Sequence, residues 1–108
     1  MSGLREKGYA VLLGEDCRIR HYHSRITQQV VEFIIQLEVN IDGTWKPIVR
    51  YDTAHGFAHR DIIHPDGDVE KIPLAMGDYN AALTFAELDI RSNWKIYRER
   101  FIEEVKKK

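Results

Sequence analysis

Val31-Glu32-Phe33-Ile34-Ile35-Gln36-Leu37-Glu38-Val39-Asn40-Ile41 decides the fold. Val31, Phe33, Ile35, Leu37, Val39 and Ile41 are apolar, and apart from Ile34 the residues between them are polar. A period of two puts the apolar side chains on one side of an extended chain, which predicts a long strand with one face on a core. The next residues suit a hairpin. Ile41-Asp42-Gly43 reads as a three-residue loop closed by Gly43 in the left-handed conformation. A loop of odd length pairs odd residues with odd ones, so Trp45, Val49 and Tyr51 join Leu37, Ile35 and Phe33 on the buried face. A two-residue loop would bring Arg50 and Asp52 there instead, where charge is costly unless paired. The three-residue loop is therefore expected, with Arg50 and Asp52 on the opposite face beside Glu32.

Working outward, residues 9–13 form an apolar run between Gly8 and Gly14-Glu15-Asp16 and predict a first strand, and residues 17–23 a second. Downstream, residues 57–64 read as a fourth strand, Pro65-Asp66-Gly67 as a turn, and residues 69–76 as a fifth, at a sheet edge because Pro73 has no N–H to donate. Asp78 is a good N-cap. After it Tyr79, Ala82, Ala86, Ile90, Trp94, Tyr97, Phe101 and Val105 recur at steps of three and four, and the stripe keeps phase through Ser92-Asn93, so one helix is expected, with Trp94 a core anchor. The prediction is an α+β fold: an antiparallel sheet of about five strands over about residues 8–76, packed against one long C-terminal helix over about 78–106.

A chain of 108 residues buries one core and has no room for two, so a single domain over 1–108 is expected. The composition, 44% hydrophobic and 31% charged, excludes both a disordered chain and a helical membrane protein. Met1-Ser2-Gly3-Leu4-Arg5-Glu6-Lys7 lacks the apolar core of a signal peptide, and the lone Cys17 has no partner for a disulfide, so a cytoplasmic protein is expected. A net charge of −1 provides no global field toward nucleic acid or membrane. Charge is uneven locally: residues 18–25 carry Arg18, Arg20, Arg25, His21 and His23 with no acid. Lys106-Lys107-Lys108 reads as a solvated helix end.

The polar stretch Arg50-Tyr51-Asp52-Thr53-Ala54-His55-Gly56-Phe57-Ala58-His59-Arg60-Asp61-Ile62-Ile63-His64 is where chemistry would sit, since three of the five histidines fall within ten residues there. The plainer account of the same residues is a polar sheet face with solvated cross-strand pairs. Arg50-Tyr51-Asp52-Thr53-Ala54-His55, with histidines following, resembles the arginine-tyrosine-aspartate-asparagine motif with trailing histidines in small domains grouped with TumE-type toxins of toxin-antitoxin pairs. The likeness covers about residues 18–64. Thr53 stands where that pattern has asparagine, and His55 and His59 are spaced where it has adjacent histidines. The resemblance implies RNA as the target and a cognate antitoxin as partner.

Metal-independent RNA cleavage needs a base for the 2′-hydroxyl proton, an acid for the leaving oxygen, and cations around the phosphorane. His55 and His59 are the candidates for acid and base. Asp52 would orient a histidine, and Arg50, Arg60 and Arg20 would grip phosphate, with Arg18 and Arg25 extending the cationic track. This chemistry calls for no cofactor or metal. The same segment also offers metal ligands in His55, His59, His64, Asp52 and Asp61, although an extended chain puts His59 and Asp61 on one face and Arg60 and His64 on the other. A third possibility is a non-catalytic module that binds protein through a free sheet edge, as a homodimer or with another partner.

Overall fold

A computed structural model describes residues 3–107; Met1 and Ser2 of the N-terminal heptapeptide and Lys108 of the lysine tail lie outside them. Six strands follow one another in space as in sequence: β1 (Leu4–Leu12), β2 (Cys17–Ile26), β3 (Gln29–Ile41), β4 (Thr44–Asp52), β5 (His59–Ile63) and β6 (Val69–Pro73). All neighbours are antiparallel, and α1 (Tyr79–Lys106) crosses one face of the sheet over β3 and β4. This is the expected α+β architecture with one strand beyond the expected five, because the return arm of the Asp42-Gly43 hairpin is a full strand.

β1 begins at Leu4 rather than at Tyr9. Residues 4–10 are all exposed, so no alternation betrays them, and the strand is held by backbone pairing with β2 from Leu4↔Ile26 to Leu12↔Arg18. β5 and β6 are shorter than the predicted 57–64 and 69–76, and Pro73 ends the edge strand β6, where its missing N–H costs nothing.

The hairpin between β3 and β4 corrects the expected register. Ile41 pairs with Thr44, so the loop has two residues, Asp42 and Gly43, both at positive φ (53° and 88°). Asp-Gly suits the twisted two-residue turn that matches the right-handed twist of its strands. Asn40 then faces Trp45, which leaves the core and lies on the opposite face, where the Arg18 guanidinium sits 4.1 Å from its ring centroid. A bulge restores the parity: Glu38 pairs with Pro47 but Leu37 with Val49, so Ile48 is the extra residue. Pro47 has no N–H to give the ladder, and the irregularity falls beside it. Val49 and Tyr51 thus reach the core as expected, through a bulge and not through a three-residue loop. A second shift, between Ser24 and Arg25, makes Val31 the odd residue of β3, so that Val30 is buried while Val31, expected inside, is exposed.

Asp78 caps α1, its side chain accepting the Asn80 N–H, and the helix runs unbroken through Ser92-Asn93. Ala82, Ala86, Ile90 and Phe101 of the expected stripe are buried against Ile19, Phe33, Ile35, Leu37 and Tyr51 of the sheet, with Trp94 and Tyr97 packed at the margin. Ala82 and Ala86 are fully buried, which lets the helix backbone lie close on the sheet; a larger side chain at either would overpack the contact. Burial pushes the Cys17 thiol up to about 11, so it is a packing residue with little thiolate at neutral pH. Among the described residues no helix is long and apolar enough to cross a membrane.

Candidate functional site

Because α1 covers one face of the sheet, the other is open, and the register fixes what it displays. Ala10, Arg20, Gln36, Arg50, Asp61 and Lys71 are successive partners across all six strands, and Gly8, Tyr22, Ile34, Asp52, His59 and Pro73 form the adjacent row. Arg50 Nε donates to Gln36 Oε1 at 2.8 Å, while Arg18 is committed to Glu38 at 2.6 Å. Arg20 is exposed and makes no hydrogen bond or ion pair among the described residues. At the β1 end the small residues Gly8 and Ala10 leave a groove of about 550 Å³ bordered by Arg20, Tyr22, Ile34 and Gln36. Ile34, the residue that broke the alternation, is exposed there.

The β4–β5 end of this face carries the densest polar cluster. His59 is 1% exposed, with its Nε2 2.9 Å from Asp52 Oδ1 and 3.7 Å from Asp61 Oδ1. Lys71 Nζ completes the group, 3.2 Å from both His59 Nε2 and Asp61 Oδ1. Asp52 also accepts the Ala54 N–H, which turns the chain into the loop that bears His55. The exposed His55 ring stacks on His59 with centroids 5.8 Å apart, and Phe57 closes the other approach at 5.5 Å. The expected pairing of Asp52 with a histidine is therefore present, with His59 as the partner. His59 is covered, and His55 is the histidine that meets solvent.

Asp52, His59 and Asp61 each bring a ligand atom within 4.8 Å of the others and are the group among the described residues that fits a metal ion. The Lys71 ammonium already sits against two of the three, so an ion would have to displace it. His64, offered as a further ligand, is absent from the cluster: it bridges Glu104 of α1 and Glu70 of β6 at 2.7 and 2.5 Å. The Glu104 hydrogen bond first, and then that to Glu70, holds its imidazole above the ordinary histidine range.

Arg60 is the predicted site residue that the structure places apart. It lies opposite Tyr51 on the helix side, where its Nη1 is 3.4 Å from the hydroxyls of Tyr51 and Tyr97. Both hydroxyls donate to Asp89 Oδ2, at 2.5 and 2.6 Å, and Arg60 Nη1 is 3.7 Å from the same oxygen. Burial first, and then the hydrogen bond to Asp89, pushes the Tyr97 hydroxyl up to about 12 and Tyr51 higher still. The native state keeps these protons where the unfolded chain, with tyrosines near 10, has lost them. The contribution of the two tyrosines to stability should therefore be level below about pH 10 and fall above it, by about 1.4 kcal/mol per pH unit for each tyrosine. Urea unfolding at pH 9, 10 and 11 checks this; a flat profile, or one unchanged by Tyr97→Phe, would show that the hydroxyls ionise freely.

A second cluster on the helix side escaped the sequence reading. His21 Nδ1 and Glu87 Oε1 are in short contact, His21 Nε2 is 2.6 Å from His23 Nδ1, and His23 Nε2 is 2.8 Å from Arg25 Nη2. Tyr9 stacks on His21 with centroids 4.5 Å apart. The signal was the alternation of Cys17, Ile19, His21 and His23, which puts both histidines on the face of the buried apolar pair; reading residues 18–25 only as a cationic run hid it. Arg25 falls on this side, away from Arg18 and Arg20.

A family model described as a domain of unknown function (DUF7718) matches residues 4–107, the whole of the sheet and helix. No curated protein and no solved structure matches the chain.

Proposed function

The chain belongs to the family of DUF7718 domains, and we propose that it acts on RNA at the open face of the sheet, cutting the strand without a metal ion. One observation carries this reading: Arg20, Arg50, Asp52, His55 and His59, from three strands and one loop, gather on the face that α1 leaves bare. That face pairs an unengaged guanidinium with Tyr22, Ile34 and Trp45, the combination of cation and flat apolar surface that single-stranded nucleic acid uses for phosphate and base. Gly8 and Ala10 keep the groove beside them clear.

In this reading Arg20 and Arg50 hold phosphate, and His55 takes the 2′-hydroxyl proton from its exposed place in the loop. His59, held by Asp52 beneath it, supplies the proton of the departing 5′-oxygen once the loop gives way to substrate. An antitoxin or other inhibitory partner would act by covering the same face. The experiment is cleavage of labelled single-stranded RNA in chelator, with wild type, His55→Ala and Arg20→Ala compared. His55→Ala should slow cleavage at least about 100-fold, and Arg20→Ala should weaken RNA binding about fivefold. Absence of cleavage, or cleavage indifferent to His55→Ala, would remove the nuclease reading. RNA bound but uncut, and bound less well by Arg20→Ala, would make the same face a binding module.

A further inference from the structure

We infer that the helix side of β1 and β2 holds a second site, which binds a dianionic phosphate group and takes up a proton as it does so. It lies across the sheet from the RNA face and stands without that reading. A cavity of about 260 Å³ opens there among Arg5, Glu6, Lys7, His23 and Arg25. Arg5 pairs with Arg25 and Lys7 with His23 across the two strands, so three cations border one imidazole. The Glu6 carboxylate is turned to the other face, where it accepts from Tyr22 at 3.1 Å. Arg5 and Lys7 are exposed with no ion-pair partner among the described residues; Lys7 Nζ rests 5.7 Å from the Tyr9 ring centroid.

The proton follows from hydrogen-bond direction. Arg25 can only donate, so His23 Nε2 accepts from it and carries no proton. The His23 proton is then on Nδ1 and is donated to His21 Nε2, and the His21 proton is on Nδ1, against Glu87. Two neutral imidazoles thus form a one-way chain from the cavity to a carboxylate. An anion that draws Arg25 toward itself frees the His23 Nε2 lone pair. A proton arriving there lets His23 Nδ1–H pass to His21 Nε2, so the added charge comes to rest on the ring that is in contact with the Glu87 carboxylate. The groups facing the chain are Arg5, Lys7 and Tyr9 from β1, Arg25 from β2, and Glu87 with its partner Arg91 from α1, the last two 3.0 Å apart. Burial first, and then the cations Arg25 and Lys7, hold His23 below the ordinary histidine range; a bound dianion offsets these two neighbouring cations and so favours uptake.

The dianion is the terminal phosphate of an oligonucleotide or free phosphate, and two arms separate these. Inorganic sulfate, which keeps both charges at neutral pH and titrates no proton itself, is the first probe, followed calorimetrically in two buffers of different ionisation heat. Wild type should bind it with net proton uptake that grows as pH falls toward about 6, and Lys7→Ala should weaken binding about fivefold. His23→Asn keeps a donor toward His21 but cannot take a proton, and should bind sulfate within about threefold of wild type with the uptake gone. Glu87→Gln, a second variant should His23→Asn fail to fold by circular dichroism, should reduce the uptake. The second arm compares a 5′-phosphorylated with a 5′-hydroxyl trinucleotide: preference for the former at least about tenfold above sulfate marks a terminal phosphate, and parity with sulfate marks the free ion. No sulfate binding, binding unaffected by Lys7→Ala, or uptake that survives in a folded His23→Asn would overturn the inference.

Discussion

Asp89→Leu should lower the stability of the protein by about 4 kcal/mol, the largest loss expected from any one polar side chain. Among the described residues Asp89 is the sole acceptor for the two tyrosine hydroxyls that meet it, Tyr51 and Tyr97, and the only acid beside Arg60. The Arg60 side chain is 27% exposed and its Nε is buried without a hydrogen-bond partner, so little solvent is at hand to replace the lost carboxylate. Leucine matches Asp89 in reach but accepts nothing. It leaves one cation unpaired and two hydroxyls unsatisfied, each of which costs more than the bond itself contributed. Asp89→Asn keeps an acceptor oxygen without the charge and should cost about half as much. For a chain of this size 4 kcal/mol corresponds to roughly 15–25 °C in Tm, readily seen in a thermal melt followed by circular dichroism. A loss under about 1 kcal/mol for Asp89→Leu would mean that water reaches Arg60 and that this junction of helix and sheet is held by its apolar contacts alone.

The elements that proved legible in the sequence are those with a single buried face. The alternation of β3 and the stripe from Tyr79 to Val105 each report one core, and each stands where its pattern put it except at Val31, which the shift beside Arg25 turns outward. β1 exposes both faces from Leu4 to Ala10, so its first half carried no pattern to read. The hairpin shows how two errors can cancel. An odd loop length was inferred from the cost of burying Arg50 and Asp52, and that cost is real. The chain meets it with a two-residue turn and a bulge beside Pro47, whose missing N–H was visible in the sequence but carried no weight in the register argument. Within the site, Arg20, Arg50, Asp52 and His59 share a face because strand parity fixes it once the register is set. Arg60 goes to the other face by the same parity, since Ile62 two residues on is in the core. Lys71, Glu87 and Asp89 were beyond reach because no local pattern says which strand lies beside β5 or which turn of α1 stands over His21.

His59→Ala should cost about 3 kcal/mol, and this loss bears on how any activity of the open face is interpreted. Asp52 and Asp61 are 8% and 6% exposed, so both carboxylates lean on His59, and Asp61 also on Lys71, whose side chain is itself 44% exposed. Alanine leaves Asp52 without its nearest partner and opens a cavity beneath His55 and Phe57. His55→Ala removes an exposed ring and should change stability by less than about 0.5 kcal/mol. Urea unfolding of the two variants side by side therefore separates their roles: His55 tests chemistry, whereas His59 tests the scaffold and chemistry together. Asp52→Asn in the His59→Ala background should recover part of the loss, because the buried charge is what lacks a partner, and a coupling of about 1–2 kcal/mol is expected between the two sites. If His59→Ala unfolds within about 0.5 kcal/mol of wild type, water satisfies both carboxylates and the cluster is no support to the sheet. A buried imidazole that contributes nothing to stability would then be held for its chemistry, and the case for His59 as the proton donor would be the stronger for it.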